Sequence, residues 1–197
     1  MLSPIKILDD ETGCIELYPD WLPNSEYLFD TLKCNVAWKS RDIQIFGREV
    51  KVPRLEYWTG EAGISYSYSG QQYVSAGWID NLGGVVERIT SEFSWSPNGA
   101  LLNYYRDGQD SMGWHSDNEQ ELGLMPVVTI LSLGCQRELY FRKRLEQKTK
   151  LTVNLASGSL LVMKGDLQRH WQHSLPKRRS VGSRISVTFR LIKTSER

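Results

Sequence analysis

His115 and Asp117 stand two residues apart, around Ser116, in a 197-residue chain with only three histidines, the others being His170 and His173. In extended backbone, side chains two apart point to the same side, so this imidazole and carboxylate can converge on one cation. A third ligand must come from elsewhere, and His173 or His170 can supply it. Two histidines and one carboxylate leave open positions on one face of an octahedral iron(II), where a cosubstrate and dioxygen can bind. Taken alone, the triplet fits equally a surface loop with a hydrogen-bonded histidine.

A second pattern lies near the C-terminus, in Arg184-Ile185-Ser186-Val187-Thr188-Phe189-Arg190. As a strand it places Arg184, Ser186, Thr188 and Arg190 on one face and the apolar Ile185, Val187 and Phe189 on the other. In a jelly roll both arginines would point into the barrel mouth. There their guanidinium forks would hold a dicarboxylate such as 2-oxoglutarate through paired, charge-assisted hydrogen bonds. Without further context the same run fits an edge strand with solvated arginines.

The elements that must position these groups follow from periodicity. Residues 23–32 form a short helix opened near Asn24 and Ser25, and 43–46 and 50–53 flank Gly47 as a hairpin. A strand is expected over 63–68. Leu82, Val85, Val86, Ile89 and Phe93 give 79–93 the spacing of an amphipathic helix packed on a sheet. From Ala100 onward short strands dominate, at 101–105, 127–133, 138–142, 151–155, 159–163 and 184–191. The fold expected is α+β but mainly β: N-terminal helices and a β-hairpin substrate lid, then a double-stranded β-helix, or jelly-roll, core. All 197 residues make one domain, with 1–97 as extension, lid and supporting helix and 98–192 as catalytic core.

The order of these pieces is more specific than any one of them. Asn103-Tyr104-Tyr105, Trp114-His115-Ser116-Asp117-Asn118-Glu119, His170-Trp171-Gln172-His173-Ser174-Leu175-Pro176 and the strand from Arg184 to Arg190 together resemble the signature of AlkB-type dioxygenases. So do Val52-Pro53-Arg54, Tyr66-Ser67-Tyr68-Ser69-Gly70 and Gly158-Ser159-Leu160-Leu161-Val162-Met163, in the same order. The resemblance covers residues 43–191. It implies that His115, Asp117 and His173 ligate iron(II), with His170 structural. It further implies that Arg184 takes the distal carboxylate of 2-oxoglutarate and that Asn103, Tyr105 and Arg190 complete that pocket, with Thr188 and Ser186 on the same strand face. Ser186 stands where the family often has Asn.

The reaction implied is oxidative dealkylation of a nucleic-acid base, with 2-oxoglutarate and dioxygen consumed and succinate, carbon dioxide and formaldehyde released. A base inside a duplex would have to be flipped out. Tyr66 and Tyr68 would stack on it opposite His115, and Asn118 and Glu119 would read its edge. Phe46, at the hairpin tip, resembles the wedge that fills the gap left by a flipped base; it fits a buried strand residue as well. DNA is expected ahead of RNA. The alternatives are a 2-oxoglutarate demethylase of RNA or another substrate, or a nucleic-acid-binding relative without catalysis.

Composition bounds these expectations. The net charge of +1 divides unevenly: residues 137–197 hold 15 Lys/Arg against 4 Asp/Glu, a net +11 that leaves −10 for residues 1–136. Such a half can build a basic face for a polyanion, with Arg142-Lys143-Arg144 and Lys177-Arg178-Arg179 on phosphates; charges of the two halves can also neutralise each other in the fold. Three cysteines without CxxC spacing indicate neither a disulfide framework nor a thiolate zinc site. Apolar runs too short for a membrane span lead to a soluble, intracellular monomer as the expectation.

Overall fold

Apolar alternation builds two of the central strands. Val128 and Ile130 point to one side of their strand while Leu131 and Leu133 point to the other; Leu161 and Met163 oppose Leu160 and Val162 in the same way. A strand with apolar residues on both faces must be covered on both. In the computed structural model, which describes residues 3–45, 48–68, 71–146, 148 and 150–193, this is how the layers are arranged.

The chain begins with β1 (Ile5–Asp10), β2 (Gly13–Tyr18), α1 (Ser25–Asn35), β3 (Lys39–Ile45), β4 (Arg48–Gly60), β5 (Ser65–Tyr68), β6 (Gln71–Val74) and α2 (Gly83–Phe93). It continues with β7 (Gly99–Tyr105), β8 (Met112–His115), β9 (Val128–Gly134), β10 (Arg137–Lys143), β11 (Leu151–Leu155), β12 (Leu160–Lys164), the single turn α3 (Leu167–His170), β13 (Trp171–Leu175) and β14 (Arg184–Arg190). Eight strands make a large sheet in the order β1-β2-β12-β9-β14-β7-β4-β3, four make a smaller one, β11-β10-β13-β8, and β5-β6 stands apart as a ribbon. Helices α1 and α2 cover one face of the large sheet through Leu28, Leu32, Val85 and Ile89. The small sheet covers the other through Leu139, Phe141, Val153 and Leu155. The chain is mainly β with few helices, as expected for a jelly-roll core.

Several boundaries differ from expectation, each for a local reason. Helix α2 starts at Gly83, not residue 79, because Asn81 takes a positive φ of 71° and Leu82 closes a turn on Ile79, whose side chain still packs on the core. Helix α1 starts after Asn24, in left-handed conformation, and runs on to Asn35. Strands β1, β2, β6, β8 and β13 were not anticipated. The N-terminal pair is no mere cover, since β2 pairs with β12 and extends the large sheet. Its tight turn uses Gly13 at φ 135°, where a Cβ would come within 2.7 Å of the Leu167 backbone.

Ile89 is wholly buried between α2 and the sheet, whereas Leu145 is 98% exposed. Ile89→Ala is expected to cost about 2–5 kcal/mol in urea unfolding, and Leu145→Ala to stay within about 0.5 kcal/mol of the parent.

Candidate active site

Strand β14 lies between β7 and β9, with seven residue pairs on each side. Its apolar residues Ile185, Val187 and Phe189 go to the helix side. Arg184, Ser186, Thr188 and Arg190 therefore face the small sheet, and all four are buried. The register sets Tyr105 beside Arg184 and Asn103 beside Ser186. One cavity between the sheets is lined by all six of these residues together with His115, Asp117 and His173.

The histidines reach it from the small sheet, where β8 and β13 pair so that His115 and His173 are direct cross-strand neighbours, ring centroids 4.2 Å apart. Asp117 follows in a loop clasped to the segment around β13: Ser116 Oγ donates to the Trp171 carbonyl (2.7 Å), and the Asp117 N–H donates to Gln168 Oε1 (2.9 Å). One ligand atom from each of His115, Asp117 and His173 lies within 4.8 Å of the others. His115 Nδ1 is 2.9 Å from the Gly113 carbonyl, which can only accept. Nδ1 thus carries the proton, and Nε2 is left with a lone pair for a metal. His170, exposed at the end of α3, is not part of the cluster.

Electrostatics reinforce the arrangement. Burial, and then the neighbouring His115, push His173 down to about 3, so its imidazole is neutral and able to ligate. Burial likewise lowers His115, partly offset by Asp117. Burial opposes ionisation of Asp117, but the adjacent Arg190, followed by the two histidines, outweighs it and holds the carboxyl well below the ordinary range. Arg190 donates to Asp117 Oδ1, while Oδ2, buried, has no hydrogen-bond partner among the described residues. An orphaned carboxylate oxygen beside two neutral imidazoles is the donor set of a divalent metal such as iron(II).

Arg184 is the second unbalanced group. Its Nε donates to Ser132 Oγ (3.0 Å) and its guanidinium lies 5.4 Å from the Tyr105 ring centre. No salt bridge joins it to a carboxylate among the described residues. Burial pulls it down to about 10, still a cation at neutral pH. A buried cation without an anion fits a site for a carboxylate ligand.

A profile described as the 2OG-Fe(II) oxygenase superfamily matches residues 15–190. The chain belongs to that superfamily. Within it the chain is of the AlkB type: it is 37% identical over 161 residues to the bovine (Bos taurus) DNA oxidative demethylase ALKBH2, covering 76% of this chain and 57% of that protein. The Arabidopsis thaliana DNA oxidative demethylase ALKBH2 is 31% identical over 191 residues, 83% of this chain and 61% of that one. The mouse (Mus musculus) alpha-ketoglutarate-dependent dioxygenase alkB homolog 3 is 33% identical over 187 residues, 89% and 65% respectively. The chain thus spans 57–65% of the length of these relatives. The solved structure of OsALKBH1 shares the fold, with a TM-score of 0.66 at 15% identity, over 95% of this chain and all of that one.

The residues expected to meet a substrate are placed less uniformly. Tyr66 is fully buried, its ring stacked on Trp58 (centroids 4.8 Å) and approached by Arg190 (5.5 Å), so it offers no open face to a base as the chain stands. Glu119 is half-buried near the Tyr66 hydroxyl; burial, and then Asp117, raise its carboxyl, and Asn118 is exposed. Phe46 lies outside the described residues, as does the Tyr68 side chain. Three supporting residues were not singled out from sequence. Gln168 gave no signal in its single helical turn. Arg54 stood in a noticed motif but without a role. Arg137, only 2% exposed, donates to the carbonyls of Asp107, Asp110 and Pro176, which ties together loops flanking both ligand-bearing strands.

For metal-free protein, the lowered His173 gives a definite sign. An unfolded chain takes up this proton near pH 6.5, the folded one only near 3. Stability is complete above 6.5 and falls between those values, by about tenfold in the folding equilibrium per pH unit for this group. Urea midpoints at pH 7 and pH 5 should differ less in His173→Gln than in the parent; an equal difference would contradict the assignment.

Proposed function

We propose that the chain is an iron(II)- and 2-oxoglutarate-dependent dioxygenase that removes alkyl groups from bases of the 1-methyladenine or 3-methylcytosine type, in DNA ahead of RNA. The observation that carries this reading is the one cavity that joins His115, Asp117 and His173 to Arg184, which has no carboxylate partner among the described residues. The names of the ALKBH2 relatives support the substrate class. Iron(II), held by the two histidines and Asp117, would with dioxygen and 2-oxoglutarate supply the oxidation that yields succinate, carbon dioxide and an aldehyde from the alkyl carbon.

The chain's own residues bind, orient and exclude water. Arg184 takes the distal carboxylate of the cosubstrate as a guanidinium fork, beside Tyr105, while Ser186 and Thr188 offer hydroxyls from the same face. Asp117 stays ionised through Arg190 and so would offer a metal a ready anion. On the substrate side the β5-β6 ribbon serves as a lid. Tyr68 and His115 would flank the flipped base, and Tyr66 acts from behind them, its hydroxyl near Glu119. With its raised carboxyl, Glu119 can share a proton with an exocyclic amine of the base, and Asn118 reads the same edge. Phe46 would fill the gap in the stack. Exposed Lys143, Arg144, Lys177 and Arg179 are available to phosphates, whereas Arg178 is engaged with Glu138 and Tyr140. No described helix is long and apolar enough to cross a membrane; a monomer, acting inside the cell, suffices for this scheme.

The test is release of succinate and formaldehyde with iron(II), ascorbate and 2-oxoglutarate, comparing 1-methyladenine-containing DNA and RNA strands with unmodified ones. The two products should appear in step, only with methylated strands and faster with DNA. His115→Ala should abolish both. Succinate without formaldehyde would remove the substrate assignment. Phe46→Ala should slow duplex repair by about tenfold while leaving single strands within about twofold; equal losses would remove the wedge.

A further inference from the structure

The Val52-Pro53-Arg54 motif sits where the pairing of β4 with β3 breaks. Ser40 faces Leu55, but Asp42 faces Lys51, so residues 52–54 lie against Arg41 alone. A proline is tolerated at such a bulge, and bulges re-aim side chains. Here Arg41 and Arg54 are both buried, 6% and 4% exposed. Glu56, 3% exposed, joins them: its Oε2 is 3.1 Å from Arg41 Nε and its Oε1 is 2.6 Å from Arg54 Nη2. A buried trio of charges gives no stability that an apolar trio would lack. Its presence calls for another account, and its two ends supply one.

At one end, Arg54 Nε donates to Asn103 Oδ1 at 2.9 Å. A guanidinium can only donate, so this bond fixes the amide and leaves Nδ2 as the group that Asn103 presents to the cavity it shares with Arg184. At the other end, Arg41 Nη1 donates to the Tyr73 hydroxyl at 3.3 Å. Tyr73 belongs to β6, directly opposite Tyr66 in β5, and both rings pack on Trp58. That ribbon is a two-stranded sheet outside the two larger ones, and two strands alone are marginal in water. Its seating therefore depends on contacts such as these. Tyr73 does not line the cavity between the sheets; it lines a separate one with Arg41 and Glu56.

We infer that Arg54, Glu56 and Arg41 are positioning residues forming a relay that presents the Asn103 amino group to the cosubstrate and ties it to Tyr73, so that ribbon seating and cosubstrate binding favour each other. This rests on the reading that the cavity takes 2-oxoglutarate. Coupling of this kind is reciprocal: what cosubstrate does for the ribbon, the ribbon does for cosubstrate.

The experiment titrates the Mn(II)-loaded full chain with 2-oxoglutarate by calorimetry and follows hydrogen exchange of the β6 amides with and without it. Tyr73→Phe, a conservative change remote from the cavity, should weaken 2-oxoglutarate binding by about threefold, and Arg54→Met by about tenfold. The double variant should lose less than the product of the two, as expected of residues acting through one network. In the parent, 2-oxoglutarate should slow β6 exchange, and Tyr73→Phe should remove that slowing. Parental binding in Tyr73→Phe, with β6 exchange indifferent to 2-oxoglutarate, would overturn the relay alone. A parent that takes up Mn(II) but binds no 2-oxoglutarate would overturn the cosubstrate reading itself.

Discussion

The architecture depends on β14 holding its register in the middle of the large sheet. Every residue of the strand is buried, and the period of two decides which ones meet helices and which meet the small sheet. A slip by one residue would drive two guanidiniums into the apolar layer beneath α1 and α2 and withdraw the polar side chains of β14 from the cavity. Full pairing to β7 on one side and β9 on the other makes that slip expensive. The same pairing brings Asn103, Tyr105 and Ser132 alongside, so these polar groups are assembled by the ladder that builds the core.

The charges in the cavity are deliberately uneven. Arg190 is neutralised by Asp117, and Asp117 in turn keeps one oxygen unspent. Arg184 has a hydroxyl and an aromatic ring but no anion among the described residues. A buried cation in that condition is costly, and a carboxylate ligand offsets the cost only by binding there. Groups that must act are thus placed before any ligand arrives. The histidines are fixed by cross-strand pairing and Asp117 by two loop hydrogen bonds, which leaves little rearrangement at the moment of binding.

Sequence revealed the parts of this scheme whose signals are local. Alternation in residues 184–190 gave the two faces of β14, and HxD spacing gave two ligands that share a side. The strands carrying those ligands were harder to see. Strand β8 has four residues and β13 five, too short for a period to show, and both are defined by their long-range partners. Tyr66 shows the same limit from another direction. Its motif pointed to the substrate side, but whether a ring is open or enclosed depends on Trp58 and Arg190, which come from other strands. Arg54 and Arg137 were equally opaque, because an arginine reads as surface until the fold supplies its partners.

The charge asymmetry, finally, is in part resolved within the fold. Part of the excess in residues 137–197 is internal: Arg137, Arg184 and Arg190 are buried, and Lys164 crosses to Glu16 in the acidic half. Part is held by local partners, as with Arg178 on Glu138 and Arg142 on Gln172 and Trp114. Some of the rest is exposed at the end of β10. There Lys143 and Arg144 share a groove with His170, Glu146 and Arg169, the last paired with Asp166, at the end of the two strands, β10 and β13, that bring Phe141 and His173 together. Arg184 and Arg190 line the cavity while Arg144 and Arg179 face solvent, although in composition the two kinds are indistinguishable.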